Sequence, residues 1–343
     1  MDIFQIYLPI AGIQFNVLLL LLIGFTVGVC GGFFGIGGAW IVTPALNIFG
    51  FPMPYAIGTD LAHMGGKSIV STMRHGKFGN VDIKLGASMI VGTTVGMELG
   101  ARLVMYLERI GLAESVIRKM YIVFLTLIGS YVLYDYIKYA RREKQVAAGS
   151  TLAEPPKETV AQRLQRVRIP PMIHFKASGL TCSMWLPVIV GFVTGVVASV
   201  LGVGGGFIRM PALIYLIGCP TLVAVGTDLF EVMITGAYGA FTYAVKGRVE
   251  LVAAMWMLIG AAVGAQMGTI AVKYVRGYSI RLLFAVTIYI ACASVLMKQL
   301  ELKLASSILI LTAGIAISSV IIGVLIRGIV KERAARRFSD SGY

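Results

Sequence analysis

Ionisable side chains are scarce in the apolar stretches of this chain, and those present fall into two related groups. Asp60, His63 and Lys67 follow at i, i+3 and i+7, which places them on one face of a helix. In the second half of the sequence Asp228 and Glu231 repeat the positions of Asp60 and His63. Both aspartates sit in the same tetrapeptide, G-T-D-L, at 58–61 and 226–229. A charge inside a bilayer is costly unless it is paired or hydrated, so such residues mark ion or substrate paths. Carboxylates and a histidine shifted into a useful range can exchange protons, which points to a coupling or orienting role for Asp60, His63, Lys67, Asp228 and Glu231.

Upstream of each G-T-D-L lies a glycine loop. The segment 24–46 reads G-F-T-V-G-V-C-G-G-F-F-G-I-G-G-A-W-I-V-T-P-A-L, and 191–213 reads G-F-V-T-G-V-V-A-S-V-L-G-V-G-G-G-F-I-R-M-P-A-L. Glycine lets a ligand approach the backbone closely. A half-helix starting there directs free N–H groups and a positive dipole end into a cavity, which is an anion site. Gly35, Gly37 and Gly38 in the first loop, and Gly202, Gly204, Gly205 and Gly206 in the second, are therefore candidate substrate-binding positions. Arg209 adds a planar fork of donors suited to an oxyanion, and Thr59 and Thr227 add hydroxyls. Two readings compete with this one. The glycines can serve only kinks and packing, and Asp60 and Asp228 can cap the half-helices or pair with Lys67 and Arg209.

The elements that must carry these residues are membrane helices. Of the 343 residues 57% are hydrophobic and 13% charged, with a mean hydropathy of +0.85; a soluble domain carries roughly a quarter charged residues. Eleven hydrophobic segments are expected, at 14–34, 38–50, 55–74, 84–106, 118–138, 184–202, 206–218, 221–245, 250–274, 280–298 and 304–327. The second and seventh are too short to cross about 30 Å unaided and read as half-helices. Gly92, Gly96 and Gly100, matched by Gly260, Gly264 and Gly268, line one helix face each and read as packing seams. Glu98 and Gln266 form a further matched pair. The fold expected is an all-α polytopic membrane protein with two homologous, inverted repeats of about five segments, each with a glycine-broken helix, and one extra C-terminal helix. The boundaries are 1–138 for the first repeat, 139–183 for a basic linker, 184–300 for the second repeat, and 301–343 for the last helix and a basic tail.

The linker holds Pro155, Pro156, Pro170 and Pro171 among many Lys and Arg residues. Val160, Leu164 and Val167 recur there at helical spacing, which fits either an amphipathic helix on an anionic leaflet or a solvated connector. The net charge of +14 lies at segment ends and in the linker. That is a positive-inside pattern and not a nucleic-acid patch, and it places the N-terminus outside and the C-terminus in the cytoplasm. No Lys or Arg precedes Lys67, so the first helix is expected to be retained. Cys30, Cys182, Cys219 and Cys292 lack C-x-x-C spacing and read as small packing residues. Three scattered histidines do not make a metal site, and His75 and His174 are expected in solvated loops. G-x-S-x-G, H-E-x-x-H and nucleotide-binding motifs are absent, so neither an enzyme nor a cofactor is expected, and a gradient must supply the energy.

The paired G-x-G-G loops with P-A-L, the repeated G-T-D-L, and K-G-x-V before the fourth segment of each half resemble the TauE/SafE family of sulfite exporters and toluene-sulfonate uptake permeases. The resemblance covers most of 14–300. It implies a secondary transporter in the cytoplasmic (inner) membrane for a small anion such as sulfite, a sulfonate, sulfoacetate or a related organic acid. The titratable Asp60, His63, Asp228 and Glu231 make protons the expected coupling ion. The chain departs from a simple duplication in its long basic linker, in the segment 304–327, and in Glu231 and Thr235 standing where the first half has His63 and Lys67. The alternative is a membrane scaffold or maturation partner acting through the basic linker.

Overall fold

Long Leu-, Ile- and Val-rich runs without internal proline form the helices, and prolines mark where several begin or break. The computed structural model describes residues 4–34, 39–147, 160–166, 169–271, 274 and 277–340. Gly35, Gly37, Gly38 and Val167 lie outside the described residues. A two-stranded hairpin, β1 (Gln5–Leu8) and β2 (Ile13–Asn16), leads into α1 (Val17–Phe34), α2 (Ala39–Ile48), α3 (Met53–Lys77), α4 (Ile83–Arg109) and α5 (Ala113–Ala147). A short α6 (Val160–Gln165) and a second hairpin, β3 (Met172–Phe175) and β4 (Leu180–Ser183), follow. The chain continues as α7 (Trp185–Leu201), α8 (Gly206–Ala212) with a wider π-helical turn Leu213–Ile217, α9 (Thr221–Val245), α10 (Leu251–Ala271), α11 (Gly277–Gln299) and α12 (Lys303–Asp340).

Seven helices among the described residues are long and apolar enough to cross a membrane: Val17–Phe34, Ile83–Arg109, Ala113–Lys138, Thr221–Val245, Leu251–Ala271, Leu282–Gln299 and Lys303–Glu332. The chain is a multi-pass helical membrane protein. Neither hairpin was anticipated from the sequence, because strands of four residues carry too little alternation to stand out beside membrane helices.

Glycine decides which helices pair. A Cβ on Gly92, Gly96 or Gly100 of α4 would strike α7 at Val188, Phe192, or Val196 and Ser199. A Cβ on Gly260, Gly264 or Gly268 of α10 would strike the α1 backbone at Leu21, Phe25 or Val29. These rows are the closest helix contacts in the bundle, as small-residue rows in lipid are. On the other flank of α4, Val91, Val95, Leu99 and Leu103 are exposed and face outward. The pairing is reciprocal: α1 with α10, α7 with α4, α3 with α9, and α5 with α11.

Contacts at the helix termini define two ends of the bundle. At one end Phe15, just before α1, meets Phe51, just after α2, and Met53 N–H donates to Glu114 at the start of α5. At the opposite end Ser178 of the second hairpin meets Asp82 before α4 and Cys219 before α9. The first short segment therefore returns to the end where α1 began. Its helix has 10 residues, about 15 Å, against 18 residues and about 27 Å for α1. The second short segment does the same from the opposite end. Two broken helical pairs thus dip into the bundle from opposite sides.

Each hairpin is tied to the helix that begins beside it. Glu250 Oε2 accepts from Ile10 N–H (2.9 Å) and Ala11 N–H (3.2 Å). Asp82 Oδ2 accepts from Ser178 N–H (3.0 Å) and Oγ–H (2.9 Å), while its Oδ1 caps α4 through Leu85 N–H. Asp82→Ala removes a cap and strands two buried donors, so a destabilisation of about 2–3 kcal/mol is expected in detergent unfolding. Asp82→Asn, which keeps one acceptor, should lose less. The helix α6 docks on the end of the second short segment, with Gln165 Nε2 donating to Ile217 O and Ala161 buried beside Gly218. The four cysteines are buried and free. Burial pushes the Cys182 thiol up and the Cys219 thiol up to about 11, which keeps both unreactive.

Candidate functional site

The two G-T-D-L segments lie on α3 and α9, which run against each other with Gly65 facing Gly236. Pro52 and Pro220 stand immediately before these helices with φ of −59° and −56°, suited to a helix start. Within each tetrapeptide the residues divide the work. Gly58 lets α3 touch Arg248 O, and Gly226 lets α9 touch Asn80 O. The next residue bonds the same turn: Thr59 Oγ1 accepts from Glu250 N–H (3.0 Å) and Thr227 Oγ1 from Asp82 N–H (2.9 Å). Thr59 and Thr227 thus sit at joints between the halves.

The aspartates point elsewhere. Asp60 Oδ2 accepts from Thr43 of α2, both N–H (3.2 Å) and Oγ–H (2.8 Å), and its Oδ1 lies 3.5 Å from His63 Nδ1. His63 Nε2 finds no hydrogen-bond partner among the described residues. Lys67 stands one turn further along α3, within electrostatic reach of Asp60, His63 and Cys30. In the second half Asp228 Oδ1 pairs with Arg209 Nη1 of α8 at 3.2 Å, and Glu231 pairs with Arg209 Nε. Thr93 of α4 reaches the other Glu231 oxygen. Asp60, His63, Arg209 and Glu231 are completely buried, and Asp228 is nearly so. Arg209 and three carboxylates are thereby enclosed in one bundle interior, with Lys67 half-buried beside them.

The second glycine loop is filled by the protein itself. Gly202, Gly204 and Gly205 have φ of 72°, 66° and 78°, a region in which side chains are strained. A Cβ on Gly202 would strike Thr43, on Gly204 would stand 2.9 Å from Met64 Cε, on Gly205 would strike the Arg209 guanidinium, and on Gly206 would stand 2.6 Å from Asp228 Oδ2. These glycines make room for the Arg209–Asp228 pair and for the first half's α2. Arg209 Nη2 has no hydrogen-bond partner among the described residues.

One polar cavity reaches into the interior. It has a volume of about 170 Å³, and Gly31, Gly32, Lys67, Ser68, Ser71, His75, Val225, Leu229, Ala265 and Thr269 line it. It opens where α3 ends and α9 begins, the end that also carries α6. His75 therefore stands within α3 as part of this lining, and not in a solvated loop, because the helix persists to Lys77. His174 lies in β3, with Nδ1 2.9 Å from Thr181 Oγ1. Glu98 is remote from the cluster, pairing with Arg102 and Lys246 at the far end, and Gln266 lies in α10. There Arg248 also pairs with Glu108 and stacks over Tyr55, on the wall of a basin of about 560 Å³. Among the described residues no three His, Cys, Asp or Glu side chains stand close enough to hold a metal ion.

Sequence reasoning missed Thr43 and Thr93, the hydroxyl partners of Asp60 and Glu231. It also missed Tyr121 and Tyr243, whose hydroxyls donate to Leu201 O and Ser199 O beside the second loop. Ser71 and His75 were findable, since they extend the Lys67 face at i+4 and i+8.

The sequence profile of the sulfite exporter TauE/SafE family matches residues 20–295. Among curated relatives, "Probable membrane transporter protein YunE" of Bacillus subtilis is 23% identical over 73% of this chain and 86% of its own length. YdhB of the same organism is 26% identical over 73% and 88%, and a "Probable membrane transporter protein" of Xylella fastidiosa is 24% identical over 73% and 80%. No solved structure matches the chain significantly.

Proposed function

Because the chain belongs to the sulfite exporter TauE/SafE family, we propose that it is a secondary transporter of a small sulfur-containing or organic anion of the sulfite, sulfonate or sulfoacetate class. Protons are its coupling ion, and it works in the inner membrane. The observation that carries this reading is the buried set of Asp60, His63, Arg209, Asp228 and Glu231, with the half-buried Lys67 beside it lining a cavity that opens at one end. Burying such groups in a bundle is costly and has no use in a protein that merely packs. Lys67 supplies positive charge for the anion, Arg209 anchors Asp228 and Glu231, and the carboxylates supply places for the proton that must accompany the anion. The second glycine loop, with Thr59 and Thr227, shapes the joint between the halves.

The reciprocal helix pairs and the two broken pairs entering from opposite ends support a description as two inverted repeats, with α12 additional. A broken pair that returns to its own side leaves the sidedness of the termini unchanged. Chain order puts Lys77, Lys84, Lys138, Lys176, Arg327 and Lys331 toward the end where the cavity opens and Arg102, Arg109, Arg118, Lys246, Arg248 and Lys298 toward the other. The basic linker and tail of the sequence therefore decide the assignment. That end is assigned to the cytoplasm, with the N-terminus outside.

The test is flux into proteoliposomes of the purified chain. Saturable uptake of sulfite or a short sulfonate should rise when a pH gradient is imposed and fall back on adding a protonophore. Equal flux with and without the gradient would remove proton coupling, and no flux of any anion by folded protein would remove the transporter reading.

A further inference from the structure

We infer that the cavity beside Lys67 is itself an anion-binding pocket, taking a single small oxyanion with at most a short apolar substituent. The inference rests on the transporter reading above but moves the substrate away from the glycine loops. Polar residues run along one face of α3 as Asp60, His63, Lys67, Ser71 and His75, spaced three or four apart. The first two are sealed in the interior; the last three line the cavity. The pocket is therefore the open half of a continuous polar stripe whose closed half is the Asp60–His63 pair.

The lining has the chemistry of an oxyanion site. Lys67 brings an ammonium with three donors, and Ser68 and Ser71 bring hydroxyls. His75 brings a ring whose Nδ1 has no hydrogen-bond partner among the described residues. Facing these, Gly31, Gly32, Val225, Leu229 and Ala265 make a small apolar wall suited to the carbon end of a short sulfonate. Size points the same way: the cavity holds about 170 Å³, below the several hundred Å³ typical of sites for larger ligands.

Arg209 holds Asp228 and Glu231, and the Cβ positions of its loop are occupied. Arg248 and Lys246 are paired with Glu108 and Glu98 at the opposite end.

Calorimetric titration of the purified full-length chain with sulfite, and separately with methanesulfonate, tests the pocket. Lys67→Gln is expected to weaken binding by about 30-fold and Ser71→Ala by about 3- to 10-fold, whereas Lys67→Arg should stay within about threefold. Arg248→Gln should leave binding unchanged. Wild-type affinity in Lys67→Gln, or loss in Arg248→Gln alone, overturns the pocket. Should Lys67→Gln not fold, Ser71→Leu decides in its place: it fills the cavity, so undiminished binding would overturn the proposal equally. Parallel flux assays keep the two readings apart. Transport with normal binding in Lys67→Gln leaves the transporter standing and removes the pocket. Lys67-dependent binding without transport does the reverse.

Discussion

Arg209→Met is expected to lower anion flux by about 100-fold, the factor that corresponds to about 2.7 kcal/mol, and to cost about 3–5 kcal/mol of stability. The reason is geometric. One buried guanidinium serves two buried carboxylates through different nitrogens, Nη1 to Asp228 and Nε to Glu231. Removing it leaves two like charges in a dry interior without compensation. Arg209→Lys should recover little, since an ammonium cannot present the fork that spans both acids. Combining Arg209→Met with Asp228→Asn and Glu231→Gln separates the two consequences. The triple variant removes the stranded charges and should regain most of the melting temperature, yet stay inactive in proteoliposomes. Recovery of flux in that variant would show that the cluster is structural.

Gly264→Leu is expected to disrupt the bundle as strongly, by about 3 kcal/mol or more, and Gly96→Leu to match it. At both positions the added carbon meets the facing helix at its backbone, the O of Phe25 or of Phe192, and not at a side chain that could swing away. The seam must open along its length, and the neighbouring glycines lose their contacts with it. Gly323→Leu on α12 provides the control, since nothing lies within 4 Å of its Cβ position. Thermal unfolding in one detergent, with monomer content checked by size exclusion, measures all three. Equal melting temperatures for Gly264→Leu and Gly323→Leu would refute the seam.

Helices and seams were legible because membrane apolarity and four-residue glycine spacing are strong one-dimensional signals. The roles inside G-T-D-L were not. A reader of the sequence sees four residues repeated twice, but Gly58 and Thr59 face the turn before α10, while Asp60 faces α2. Which neighbour each residue meets depends on pairings between segments far apart in the chain. The same holds for the second glycine loop, whose spaces are occupied by Thr43, Met64, Arg209 and Asp228, from four different helices. Charge and spacing identified Arg209, Asp228 and Glu231 as site candidates; only the fold could reveal that they hold one another.

The reciprocal pairing also bears on how the protein is made. When α5 leaves the ribosome, α1 still presents a glycine face to lipid, because its partner α10 has not been synthesised, and α4 likewise awaits α7. The amides of Asp82 and Glu250 find their acceptors only on the opposite half. The nascent first half therefore enters the bilayer as a set of inserted but unlocked helices. The insertion machinery must tolerate that open state until α10 arrives, and cooperative closure of the bundle is a late event of biogenesis.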